Sequence, residues 1–93
     1  MERKFLVHER CDDVGVAVKD ISSGETVEGI VLEDHTTVMI TAKESIAFGH
    51  KIALYDIAAG GEVKRYGANI GIATQPICKG AHVHVHNVRS ARC

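Results

Sequence analysis

The sequence predicts a small all-β domain of short strands and tight turns. The phrase apolar-x-apolar-x-x-Ile-x-x-Gly-x-x-Val recurs, as VAVKDISSGETV at 16–27, as IALYDIAAGGEV at 52–63 and, more loosely, as IATQPICKGAHV at 72–83. No run of about ten residues or more sets its apolar positions at helical spacing. Turn signals fall about every 8–12 residues, the rhythm of an all-β domain.

In chain order, the first apolar run is only Phe5 to Val7, flanked by charge on both sides in MERKFLVHER. Each copy of the phrase then reads as an alternating strand, an Asp-Ile or Pro-Ile turn, and a Gly where the chain bends before the next strand. VEGIVL and TTVMITA are rich in β-formers and join through Glu33, Asp34 and His35, which reads as a hairpin. Any helix is expected to be a single turn, near Lys43 to Phe48. Pro76 and the nine glycines sit at turns within the pattern, so no internal linker interrupts it. The reading is one domain over 1–88, with 89–93 as a C-terminal tail free to leave it.

Composition bounds the partners. Ninety-three residues bury only a little over ~60% of the unfolded surface, so the core is modest, and a partner or a second copy of the chain would add stability. Apolar residues make up 45%, mostly Val, Ile and Ala, with Phe5, Phe48, Tyr55 and Tyr66 as the aromatics. A net charge of −1 with interspersed signs offers no basic patch for phosphates, which argues against nucleic acid. No apolar stretch approaches the ~20 residues of a membrane span, and the expectation is a soluble cytoplasmic protein without a signal peptide. Cys11, Cys78 and Cys93 are odd in number and match no zinc-ligand spacing, which argues against a disulfide framework.

The chemistry concentrates in GAHVHVHN at 80–87, where three of the six histidines, His82, His84 and His86, occupy alternate positions. On a strand they would share one face and leave Val83 and Val85 on the other. Neighbouring members would stand ~6.8 Å apart, close enough for either adjacent pair to converge on a metal, whereas His82 and His86 would be too distant. Two imidazoles leave a site incomplete, to be finished by water, substrate or other residues. A solvated face carrying histidines, or a pH-dependent surface, is the competing reading of the same row. Gly49, His50 and Lys51 at a strand entrance could present an imidazole and an ammonium to an anion, or simply form a turn. His8, Asp12 and Asp13 read as polar groups at a loop mouth or as turn formers. Nothing resembles a nucleophile-base-acid triad, a phosphate-cradling loop or an EF-hand.

Taken together, VHERCDDVGVAVKDISSGE, FGHKIALYDIAAGGEVKRYGANIGIAT and the closing GAHVHVHN resemble, in order and across nearly the whole chain, the SAF-type region of the altronate and galactarate dehydratase family. The resemblance implies a β-clip fold and β-elimination from a 2-hydroxy acid: loss of water from a sugar acid, or, in the two-subunit sulfolactate branch that the ends of this chain favour, loss of sulfite. It implies a divalent metal, Fe²⁺ or Mn²⁺, held by His84 and His86. Catalytic roles fall to His50, Lys51 and, third in rank, His8; Asn87 and His82 are expected to meet a small anionic hydroxy acid. A large catalytic subunit is the expected partner. The galactarate branch keeps GHK and YG-x-x-IG without the terminal histidine row, which would make that row specific to a branch. The rival reading is a stand-alone β-clip binding module without chemistry of its own, and fold alone does not choose between them.

Overall fold

The computed structural model describes residues 3–90, and these contain strands and turns but no helix. The strands are β1 (Arg3–Val7), β2 (Val14–Ala17), β3 (Thr26–Val31), β4 (Thr37–Thr41), β5 (Lys51–Ala53), β6 (Glu62–Arg65), β7 (Ala68–Ala73), β8 (His82–Val83) and β9 (Val88–Ser90). Among the described residues they form a six-stranded sheet, ordered β4-β3-β1-β2-β5-β8, and a three-stranded sheet, ordered β6-β7-β9. The β1–β3 pair is parallel. The other pairs are antiparallel, including the expected β3–β4 hairpin, in register from Thr26↔Thr41 to Ile30↔Thr37.

What closes these short strands into one body is a unit written four times in the sequence: Ala-x-x-x-Ile-x-x-Gly-x, at 17–25, 42–50, 53–61 and 73–81. Its last four residues make a turn with glycine third, at φ of 84, 86, 83 and 88° for Gly24, Gly49, Gly60 and Gly80. A type II turn requires positive φ at that place, which glycine adopts without a Cβ penalty. The units work in reciprocal pairs. In the first pair Gly24 N–H donates to Ala42 (2.8 Å) and Ala42 N–H to Glu25 (2.9 Å), while Gly49 donates to Ala17 and Ala17 to His50, both 2.8 Å. Ile21 and Ile46 exchange two further bonds of 2.8 Å. The second pair repeats this with Gly60 on Ala73, Gly80 on Ala53, and Ile57 bridged to Ile77. Asp20 Oδ1 accepts from Phe48 N–H across the first pair (2.9 Å), and Asp56 Oδ1 from Lys79 N–H across the second (2.8 Å).

Two expectations are corrected here. Residues 43–48 make bends and the Ile46 bridge instead of a helical turn, because exchanging bonds with Ile21 requires extended backbone at Ile46. The tail is not free through its first residues, since Val88, Arg89 and Ser90 pair with Ala73, Ile72 and Gly71 of β7. Residues 91–93, with Cys93, lie outside the described residues; Cys11 and Cys78 are exposed and free. No helix of the described residues is long and apolar enough to cross a membrane.

Each unit pair has its own core. Ala17, Ile21, Ala42 and Ile46 pack with Phe5, Val7, Val27, Val31, Ile40, Ile52 and Leu54. Ala53, Ile57, Ala73 and Ile77 pack with Val14, Val63, Ala81 and Val83. Phe5 is the one aromatic buried among the described residues, and its ring takes the space left by two glycines on the flanking strands. A Cβ built at Gly15 would stand 2.8 Å from the ring, and one at Gly29 would overlap it outright. Gly29→Ala should therefore destabilise the chain by roughly 1–3 kcal/mol, the usual cost of overpacking a filled core. Adding Phe5→Leu should return part of that loss, because the two sites share one space. Urea unfolding of the two single variants and the double variant measures the coupling, and strict additivity would contradict this packing account.

Candidate functional site

The site is built where β5 meets β8. Lys51 stands opposite Val83 and Ile52 opposite His82, and continuing the register by one residue sets His50 across from His84. His50 is also the last residue of a unit turn: its N–H donates to Ala47 (2.9 Å) and its carbonyl accepts from Ala17 (2.8 Å). Its backbone is thus held on both sides before the side chain meets anything.

The strand expected through the histidine row ends at Val83, and residues 84–87 turn. Asn87 causes this. Its side chain is buried, its Oδ1 accepts from His84 N–H (2.9 Å) and its Nδ2 donates to the His82 carbonyl (2.8 Å). The backbone N–H groups of Asn87 and Val88 both donate to the His84 carbonyl at 3.1 Å. Val85, expected beside Val83 on an apolar face, is consequently 81% exposed. Asn87, expected to meet substrate, spends both ends of its amide on the backbone of the two histidines it follows.

The imidazoles gather all the same. Ring centroids lie 4.4 Å apart for His50 and His84, 5.0 Å for His50 and His82, and 5.5 Å for His82 and His84. His50 Nδ1 and His82 Nε2 share a hydrogen bond of 2.8 Å, and Glu44 accepts from the His82 backbone N–H at 3.0 Å. One ring nitrogen from each of His50, His82 and His84 lies within 4.8 Å of the others. Two imidazole nitrogens on one tetrahedral ion, each ~2.0–2.1 Å from it, would be about 3.3 Å apart. Loss of the shared proton and small ring rotations would meet that requirement, so the donor set can hold a divalent ion and leave further positions open. His86 stands outside this trio, with its ring 5.2 Å from that of His82. The sequence pairs His84 with His86; the structure gathers His84 with His82 and, from another strand, His50.

Burial, and secondarily the neighbouring His50, His86 and His84, hold the His82 pKa below the ordinary imidazole range, with Glu44 opposing. Burial also lowers that of His84, followed by His50, Lys51 and His86. Lys51 is lowered from the usual ammonium range by burial and then by Arg65. These two cations line a cavity of about 310 Å³ with His84, Ile70, Val83 and Val88. Arg65 Nε is buried without a hydrogen-bond partner among the described residues.

His8 lies elsewhere, stacked on Tyr66 with centroids 3.7 Å apart, while the Arg65 guanidinium carbon sits 4.7 Å above the same ring. The turn carrying Tyr66 has φ of 58° there and 70° at Gly67. Asp12 holds it: the carboxylate is wholly buried and accepts from the N–H groups of Glu9 (3.2 Å), Tyr66 (3.1 Å) and Gly67 (3.1 Å). Sequence reasoning passed over both Arg65 and this role of Asp12, because Arg65 meets Lys51 only across the fold and Asp12 holds a turn 54 residues away.

Fold and site together define a SAF-type β-clip domain with a histidine cluster at one end of its larger sheet. The chain belongs to the altronate/galactarate dehydratase SAF domain family, whose model matches residues 3–91. It is similar to (2R)-sulfolactate sulfo-lyase subunit alpha of Chromohalobacter salexigens, at 39% identity over 93 residues, 99% of this chain and 99% of that one. It is 38% identical over 63 residues to the subunit of the same name from Paracoccus pantotrophus, 68% of this chain and 94% of that one. Altronate dehydratase of Escherichia coli K12 is 44% identical over 87 residues, 94% of this chain but 16% of that enzyme. The chain thus spans nearly all of the Chromohalobacter subunit and a small part of the dehydratase.

The lowered pKa values of His82 and His84 have a consequence for acid stability. Below the unfolded imidazole pKa of ~6.5 the unfolded chain binds more protons than the folded one. Stability of the metal-free chain is therefore fully present above that value and is lost as pH falls from it toward the two folded pKa values. Urea midpoints measured between about pH 7.5 and pH 5 should decline, and a His82→Gln/His84→Gln variant should flatten the decline. An equally steep slope in the variant would assign the loss to other groups.

Proposed function

We propose that this chain is the small subunit of a two-component lyase that eliminates a β substituent, water or sulfite, from a 2-hydroxy acid. The observation that carries this is the convergence of His50, His82 and His84 from two paired strands and the turns that flank them. Such a cluster can hold an ion at a face where a second chain completes the enclosure. Relatives named as the alpha subunit of a sulfo-lyase and as dehydratases support the same reading.

In this elimination a base takes the proton from the hydroxyl-bearing carbon, the electron pair left behind forms the carbon–carbon double bond, and the substituent departs from the adjacent carbon. The resulting enol becomes a 2-keto acid. A divalent ion, Fe²⁺ or Mn²⁺, would supply Lewis-acid stabilisation of the negative charge that develops on the oxygens. His50, His82 and His84 would hold that ion, with Asn87 fixing the loop that carries two of them. Lys51 is the group of this chain placed to meet the acid's anionic end. His8 acts at one remove, by packing on the Tyr66 turn beside Arg65. His86, at the rim, is assigned no ligand role.

The isolated chain should be inactive. Mixed with the large subunit, it should release a 2-keto acid from altronate if the dehydratase reading holds, or from 3-sulfolactate if the sulfo-lyase reading holds. Metal titration by calorimetry should show His50→Ala, His82→Ala and His84→Ala each weakening affinity at least about tenfold, since even an outer-shell partner contributes that much, while His86→Ala leaves it close to wild type. Turnover by the small chain alone would refute the subunit reading, and wild-type affinity in the His50/His82/His84 triple variant would refute the metal site.

A further inference from the structure

We infer that the cavity lined by Lys51, Arg65 and His84 is a binding site for the anionic head group, carboxylate or sulfonate, of a small acid. Two cationic side chains face one small space, and no carboxylate of a described residue lines it. Neither Lys51 nor Arg65 forms an ion pair with a described residue, whereas Arg3, Lys4 and Arg10 pair with Glu28, Glu25 and Asp34. Bringing like charges together away from water is costly unless an opposite charge joins them.

Arg65 also keeps a buried Nε without a hydrogen-bond partner among the described residues. A guanidinium presents its donors as a fork that matches two oxygens of an oxyanion, and an unused buried donor is the feature a bound ligand satisfies. The remaining wall is mostly apolar, from Ile70, Val83, Val85 and Val88, with Ser90 as its one polar residue, which suits the short carbon chain attached to such a head group. At about 310 Å³ the space is at the small end of ligand pockets. Arg65 is also held in place, stacked over Tyr66, whose turn is pinned by the buried Asp12. His84 lines the cavity while belonging to the histidine trio, so an acid gripped here would lie beside the candidate metal site.

This inference rests on the lyase reading only for the identity of the acid. Its test uses the full chain without a large subunit, so failure of the elimination assay and failure here are separate results. The Arg65 Nε–H resonance of the isotope-labelled chain is followed by NMR during titration with acetate and with methanesulfonate, against chloride at matched ionic strength. A saturable downfield shift with either probe, absent with chloride, is expected; the probe that produces it names the head group, and a shift with both assigns a shared oxyanion site. Lys51→Gln should weaken that titration about 10- to 100-fold, the range for losing a hydrogen bond to a charged group, and Lys51→Arg should restore it. Preserved amide dispersion in both variants separates lost binding from lost folding. No saturable shift with either probe, or a titration unchanged in Lys51→Gln, overturns the inference. So does a resonance that moves only when the large subunit is added without any acid, since the counter-charge would then belong to a partner's side chain.

Discussion

Everything in this fold depends on the seating of a glycine turn on the backbone of a buried alanine, done reciprocally within each unit pair. Strands of two to six residues bring few ladder bonds of their own. Each pair adds six backbone bonds between segments far apart in sequence: two at each alanine and two between the isoleucines. The alanine must be small because turn and strand approach closely there. The isoleucine, four residues on, supplies the apolar bulk that makes the approach worthwhile, at about 25 cal/mol per Å² of surface removed from water. The unit therefore sets both backbone geometry and core composition, which explains a core rich in Ile, Val and Ala with one aromatic ring in it.

The site is a by-product of how the two pairs are joined. His50 ends the turn of the second unit, within the first pair; His82 directly follows Ala81, the last residue of the fourth unit, within the second pair. The 2.8 Å hydrogen bond between them consequently spans the junction of the pairs. β5 lies at the same junction, giving Ile52 to one core and Ala53 to the other. A strand held by both cores is a rigid base for His50 and Lys51. The loop bearing His84 lacks such a base, and Asn87 compensates by tying it down through its amide.

This division also explains what could be read in the sequence. The unit signature is local, so three of its copies, the hairpin and the all-β class were legible from spacing alone. The second copy, AKESIAFGH, was hidden because it lacks the Asp or Pro before its isoleucine, and the same stretch then read as a helical turn. The histidine row was legible as a cluster but not in shape, since alternation describes a strand and gives no sign of the side-chain clasp that ends it after Val83. His50 and Lys51 stood out beside a glycine. Their partners did not, because His84 comes to Lys51 through the β5–β8 pairing, Arg65 comes from the other sheet, and Asp12 reaches the Tyr66 turn across 54 residues. Local pattern reports turns and core faces; a site assembled from several turns appears only once the strands are paired.

The proposed metal ligands and the proposed anion cavity are also electrostatically compatible. An imidazole that ligates a metal must keep a free lone pair, and a cation-lined cavity beside it opposes protonation. Lys51 does both tasks from one position: it faces the cavity, and its charge helps hold the His84 pKa down, after burial and His50. His50 and His84 likewise oppose the charging of His82, and His50 that of His84. Glu44 alone opposes this for His82, and it is the smallest of the influences there. The arrangement thus favours uncharged His82 and His84 next to a positively charged cavity. That is the combination an enzyme surface needs to coordinate a cation and grip an anion within a few ångströms of each other.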